Sequence, residues 1–334
     1  MYYKPRLTIG IPSFNRPERC ARAIQSALGQ SLPCNVIVAD DGDTDECERT
    51  CKQWADHPNF SYRRSPAKKL WHNWQWVAQQ AVQDGAEFFT WLQDDDLIAD
   101  HLARRICRAF DYYPTAIVYC ARLAMSYDNM LGCHWTGNFG PKIPMDLLRG
   151  QPTDYPGLIL LPLAYFEGWG MSPAKSFRVG PVFSKMVESL PDDCDMLTER
   201  LDLAYMGMHG GAIADPAIAG YWVIHGRGGK IDNESQKTQH TLEDQIKSAF
   251  GFLDTLMDQR PDWRSCLTEW LSYMGNPESY KAFHSNIYPW REVSPYAAQI
   301  CEIFEDAMEA YGIKWEAKLE QEETPTLKIT EEVA

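Results

Sequence analysis

"EFFTWLQDDDLIADHLARRICRAFDYYPTAIVYCA" spans residues 87–121. It opens on seven residues, 87–93, whose apolar and aromatic content predicts a buried strand. Three aspartates follow at once. "HLARRICRAFDYY" (101–113) then places apolar residues at helical spacing, and "TAIVYCA" (115–121) is strand-like again. Strand, helix, strand in one stretch is the unit of a parallel sheet. The acidic triplet is the anomaly. Adjacent carboxylates repel, so something has to offset them. A divalent cation carrying a phosphate would do so; a solvated turn would do so more simply.

The same alternation extends upstream. "LTIGI" (7–11) and "NVIVA" (35–39) predict buried strands, and "FSYRR" (60–64) a short one. "PERCARAIQSALGQ" (17–30) predicts a helix with proline in its first turn, residues 45–56 look helical, and "LWHNWQWVAQQAVQDG" (70–85) predicts a helix closed by Gly85. Residues 7–121 therefore predict an α/β layer around a mostly parallel sheet. Ligands of such sheets sit beyond the carboxyl ends of the strands. Polar clusters stand at three of those ends: "PSFNRP" (12–17), "DDGDTDE" (40–46) and "QDDD" (93–96).

Downstream the pattern loosens. Residues 136–157 and 168–181 predict Gly/Pro-rich loops, 195–210 a helix, and "GAIADP" (211–216) and "AGYWVIHG" (219–226) two strands. From about residue 241 the periodicity is helical. The expected organisation is an α/β half (1–121), a second half of the same domain (122–235), a helical C-terminal region (236–317) and an acidic, fraying tail (318–334).

Composition narrows the function. The net charge is −14, whereas a protein that grips nucleic acid needs a basic face. The short basic clusters are Arg63, Arg64, Lys68, Lys69 and Arg104, Arg105, Arg108, which argues against nucleic acid as the main partner. The ten cysteines show no CxxC and no His/Cys ligand spacing, and predict reduced thiols in a cytoplasmic protein. The chain enters strand-like sequence by Leu7, so no leader is expected. No apolar run reaches the roughly 18 residues of a membrane span; peripheral contact with the inner face of a membrane stays open. Tryptophans crowd residues 54–91, and a heavy aromatic core is the expected reason.

Three blocks, "TIGIPSFNRPERCARAIQSALGQ" (8–30), "NVIVADDGDTDE" (35–46) and "HNWQWVAQQAVQDGAEFFTWLQDDDLI" (72–98), resemble in order and spacing the nucleotide-sugar-binding half of family 2 glycosyltransferases, enzymes of the GT-A fold. A weaker likeness follows at "LTERLDLAYMGMHGGAIADPAIAGYWVIHG" (197–226). The resemblance implies inverting transfer of a sugar from a nucleoside-diphosphate donor, UDP ahead of GDP or dTDP, to a saccharide or glycolipid hydroxyl. It implies Mn2+ or Mg2+ as cofactor. It puts Pro12, Phe14 and Arg16 beside the base. Asp41 would accept a hydrogen bond from the uracil imide, as a carboxylate can. Asp40 would brace the loop, and Thr44 or Asp45 would cap the next helix. Asn73 stands where the family often has an asparagine, and Lys68, Lys69 and His72 could approach the diphosphate. Asp94 and Asp95 would share ribose and metal contacts. Asp96 is the main metal ligand, facing the same way as Asp94 if the segment is extended, and His225 would complete the metal shell. Taken alone, each block also suits a plain loop, an Asx turn or an acidic turn.

The catalytic base departs from the family pattern. Arg200 stands at the expected aspartate, and a guanidinium cannot take a proton at neutral pH. Glu199 is the nearest substitute and Asp202 the next, with a bracing role as the alternative for Asp202. Asp192, Asp193 and Asp195 are outside candidates. Two rivals share the fold: a bacteriophage-type enzyme acting on a modified DNA base, and a degenerate binder of nucleotide or glycan without turnover.

Overall fold

The computed structural model describes residues 4–67, 70–127, 138–139, 152–155, 172–192, 194, 198–224, 242–274, 284 and 288–312. Ten strands form one sheet: β1 (Leu7–Ser13), β2 (Asn35–Asp40), β3 (Phe60–Arg64), β4 (Phe88–Trp91), β5 (Leu97–Ile98), β6 (Ala116–Tyr127), β7 (Asn138–Phe139), β8 (Thr153–Tyr155), β9 (Lys175–Arg178) and β10 (Gly211–Ile224). Helices α1 (Pro17–Leu28), α2 (Glu46–Cys51), α3 (Leu70–Gln83), α4 (Leu102–Tyr112), α5 (Pro181–Ser189) and α6 (Thr198–His209) cover it. The helices α7 (Leu242–Asp258), α8 (Trp263–Met274) and α9 (Pro295–Ala310) follow.

The strand order is β3-β2-β1-β4-β9-β6-β10-β5, with β7 beside β6 and β8 beside β10. Strands β3, β2, β1 and β4 are mutually parallel, as are β6 and β10. The chain steps from β1 outward through β2 to β3, then returns to the other side of β1 as β4. That reversal makes the β1/β4 junction the switch point, where a crevice opens above the strand ends.

Each sheet face carries its own core. On one, Ile9, Ile11 and Val38 pack with Ile24 of α1 and Ile106 and Phe110 of α4. On the other, Phe89, Trp91 and Phe177 pack with Trp71 and Trp74 of α3, Phe183 of α5 and Leu201 of α6. Trp71, Trp74 and Trp91 are buried, with Trp74 and Trp91 centroids 5.7 Å apart. These three are core residues, as the sequence suggested. Phe250, Trp263, Tyr296 and Phe304 belong to the same cluster, so the C-terminal helices extend the core of the α/β layer.

Two expectations are corrected. Residues 175–178, expected in a loop, form β9, which inserts antiparallel between β4 and β6. Four residues beginning at a lysine give no apolar signal, and the strand is buried because Lys175 is neutralised inside the core. The two strands predicted at 211–226 are one, β10, with register shifts between Ala214 and Gly220. Pro216 has no N–H to give the ladder, and buried Asp215 fills the irregularity. It accepts from Arg105 at 2.6 and 2.7 Å, from the Tyr119 hydroxyl at 2.6 Å and from the Ala217 N–H at 2.9 Å.

The amino end of the sheet is closed by Arg6. Its guanidinium donates to Glu87 at 2.6 and 2.7 Å and to Asp111 at 2.7 and 2.9 Å, and it lies 4.9 Å from the Phe88 ring centre. Chemistry belongs at the opposite, carboxyl end.

Candidate active site

Parallel pairing sets Ser13 of β1 beside Asp40 of β2. The chain turns off β1 through Asn15, which holds φ at 52°, a left-handed conformation that asparagine tolerates. Its Oδ1 accepts from the Asp43 N–H at 2.9 Å, tying the first loop to the second. Gly42 is required there, because a Cβ would lie 2.7 Å from Asn15 Oδ1 and 2.9 Å from Asp40 Oδ1. Asp40 is buried and accepts from the Gly42 N–H, the Tyr62 hydroxyl at 2.6 Å and Arg64 at 2.8 Å. That is a brace, and it leaves Asp41 as the loop's candidate reader. The Asn73 amide donates to Asp41 at 2.8 Å and to the Ala39 carbonyl at 2.9 Å. Thr44 Oγ1 accepts from the Glu46 N–H at 3.4 Å as α2 begins, while Asp45 makes no side-chain cap.

The acidic triplet sits across the switch point. Asp94 accepts from Ser13 Oγ at 3.0 Å, the Phe14 N–H at 3.3 Å and Arg16 at 3.2 Å. Asp95 accepts from Arg16 at 2.9 Å, with Arg19 4.0 Å away. Part of the repulsion is thus offset by arginine. Arg16, expected beside the base, directs its guanidinium at these two carboxylates; Phe14 contributes its backbone N–H, and Pro12 is buried within β1. Even so, burial and then the Asp95 charge push the Asp94 carboxyl up to about 7. The cluster still favours a further positive charge.

Asp94 and Asp96 do not face one way. The Asp96 N–H closes a turn on the Gln93 carbonyl at 3.1 Å, so the segment is bent, and Asp96 accepts from the Val223 N–H of β10 at 2.9 Å. Asp94 is thereby linked to the β1 loop and Asp96 to β10. Hard oxygen donors of this kind, 6% and 1% exposed, fit Mn2+ or Mg2+.

Glu199 belongs to α6, but its side chain lies outside the described residues, as do Lys68, Lys69, Asp193, Asp195 and His225. His72 Nε2 lies 3.2 Å from Asp192. Asp202 is fully buried and paired with Lys175 Nζ at 2.7 and 2.8 Å. Its candidacy as base is corrected: a sealed carboxylate already holding an ammonium cannot reach an acceptor hydroxyl. Residues 201–208 of α6 are all buried.

Residues 8–147 match the family model described as glycosyl transferase family 2. This part of the chain is a family 2 glycosyltransferase domain. Among solved structures, residues 1–349 of S. aureus TarS in complex with UDP-GlcNAc match this chain with a TM-score of 0.53 at 14% identity, over 93% of each chain. The complex with UDP gives 0.51 at 14% identity, over 92% of this chain and 91% of that one. These likenesses show a shared GT-A fold. A search of curated proteins finds no match.

Sequence reasoning missed two residues of the candidate site. Ser13 and Arg19 lie in or beside "PSFNRP", but only the fold shows that they meet the triplet. The described cysteines are free thiols, as expected, but one spacing was overlooked. Cys47 and Cys51 are spaced C-x3-C, a recognised ligand spacing, and Cys20 joins them in space.

Proposed function

We propose that this glycosyltransferase moves a sugar from a UDP-sugar to a saccharide or glycolipid hydroxyl, with inversion and with Mn2+ or Mg2+. The observation that carries the reading is the convergence of Asp41–Asn73, Ser13 and the acidic triplet at the β1/β4 switch point. Asp41 accepts from the base, and Asn73 fixes its rotamer. Asp95 meets the ribose, and Asp94 and Asp96 hold the cation, with His225 as a further ligand. A cation held there would supply positive charge to offset that of the leaving diphosphate. Glu199 takes the acceptor proton during attack on the anomeric carbon, and Lys175 braces the helix beneath it. TarS, known in complexes with UDP and UDP-GlcNAc, supports UDP as the nucleotide. The net charge of −14 supports a saccharide or glycolipid acceptor over DNA. Association with the inner face of a membrane suits a glycolipid acceptor, and among the described residues no helix is long and apolar enough to cross one.

The test is a panel of nucleotide sugars incubated with protein and Mn2+, with and without chelator, and read by nucleotide release. UDP release that requires the cation supports the reading. Release from every nucleotide alike, or none from any, contradicts it.

A further inference from the structure

Cys20 of α1 and Cys47 and Cys51 of α2 meet beside the first strand end. Their sulfurs all lie within 4.8 Å of one another, and each side chain is at most 2% exposed. Among the described residues this is the one such group of His, Cys, Asp or Glu. Nothing in the proposed transfer uses it. Packing of cysteine as a small apolar side chain explains the burial but not the convergence of three sulfurs from two helices.

We propose that the trio is a structural site for Zn2+, with Cys20, Cys47 and Cys51 as thiolate ligands. Zn–S bonds of about 2.3 Å in a tetrahedron set sulfurs about 3.8 Å apart, inside the observed span. Beside the trio, Ser13 Oγ lies 3.7 Å from Cys47 Sγ. Binding releases three thiol protons to solvent as one dication enters, leaving a net charge of −1. Sulfur donors favour Zn2+ strongly over Mn2+ and Mg2+, whereas the carboxylates of Asp94 and Asp96 suit Mn2+ and Mg2+ and are filled by whichever of these is in excess. The two sets would therefore load independently. A bound Zn2+ would pin α1 to α2 and, next to Ser13, stiffen the residue that holds Asp94. The inference stands apart from the donor assignment.

The test uses the full chain, reduced and stripped with chelator, then equilibrated with Zn2+ in the presence of excess Mn2+. About one Zn2+ per chain is expected by elemental analysis, and Co2+ in its place should give a strong thiolate-to-metal band in the near ultraviolet. Cys47→Ser should lose both signals, and Cys34→Ser, at a buried cysteine outside the trio, should keep both. Should Cys47→Ser fail to fold, the wild-type Co2+ spectrum decides: the thiolate band supports the site and its absence overturns it. Zinc well below one per wild-type chain, or unchanged in a folded Cys47→Ser, would also overturn the proposal.

Discussion

The Asn73 amide nitrogen donates at 2.8 Å to Oδ1 of Asp41 and at 2.9 Å to the carbonyl of Ala39. One side chain of α3 thereby fixes the carboxylate at the end of β2, before any nucleotide arrives. Asp41→Ala should weaken UDP binding by about 1.5–3 kcal/mol, the worth of a hydrogen bond to a charged group. Asn73→Ala should cost less, since the carboxylate remains but its orientation is freed. Calorimetry with UDP measures both. Wild-type affinity in Asp41→Ala would put the base elsewhere.

Lys175 and Asp202 make a second such relationship, deeper in the fold, with both side chains at 0% exposure. Removing one partner of a buried pair costs about 3–5 kcal/mol, while replacing both with apolar residues is often neutral. Lys175→Met should therefore lower the denaturation midpoint sharply, and Lys175→Met with Asp202→Leu should recover most of the loss. A double variant no more stable than the single would show that the pair does more than brace.

That bracing leaves Glu199 as the base we propose. Glu199→Gln should cut turnover by about 10² or more with donor affinity nearly unchanged. Asp202→Asn, if folded, should retain far more activity than Glu199→Gln. The reverse ranking would return the role to Asp202, and full activity in both would put inversion itself in question, to be settled by NMR of the product anomer.

The α/β half was legible because its strands are apolar runs and its helices have strong faces, so β1, β2, β4, α1, α3 and α4 all stand where the pattern put them. Asp40 as brace of its loop was also legible, whereas Asp41 as reader of the base comes from the family likeness and stands as a proposal. What sequence could not show was non-local. Strand β9 is polar at its first residue and becomes buried only through Asp202, 27 positions away. Arg16 meets Asp94 and Asp95 from the adjacent strand end, 78 and 79 positions away in sequence. The turn at Gln93–Asp96 swings Asp96 toward β10, which two-residue spacing alone could not foresee.

At the other end of the sheet, Arg6 holds two carboxylates. Its hydrogen bonds lower the Glu87 and Asp111 pKa values below the ordinary range. Depressed carboxylates stabilise the fold above their unfolded pKa of about 4 and lose that contribution as pH falls through the folded values. The pairs are partly exposed, so the total is modest, roughly 1 kcal/mol. Arg6→Ala should lower Tm at pH 7, and its Tm curve should converge on that of wild type below about pH 4. Curves that stay parallel into acid would show that Arg6 acts through its stacking on Phe88 instead.

The central claim is that the acidic triplet holds a divalent cation against a nucleotide diphosphate at the β1/β4 switch point. It is tested most directly by titrating UDP into the wild type and Asp96→Ala, each with Mn2+ and with chelator. The wild type should bind UDP more tightly with Mn2+, and Asp96→Ala should lose that enhancement while keeping its metal-independent affinity. Equal UDP affinity with Mn2+ and with chelator in the wild type, or an enhancement that survives in Asp96→Ala, would contradict the account.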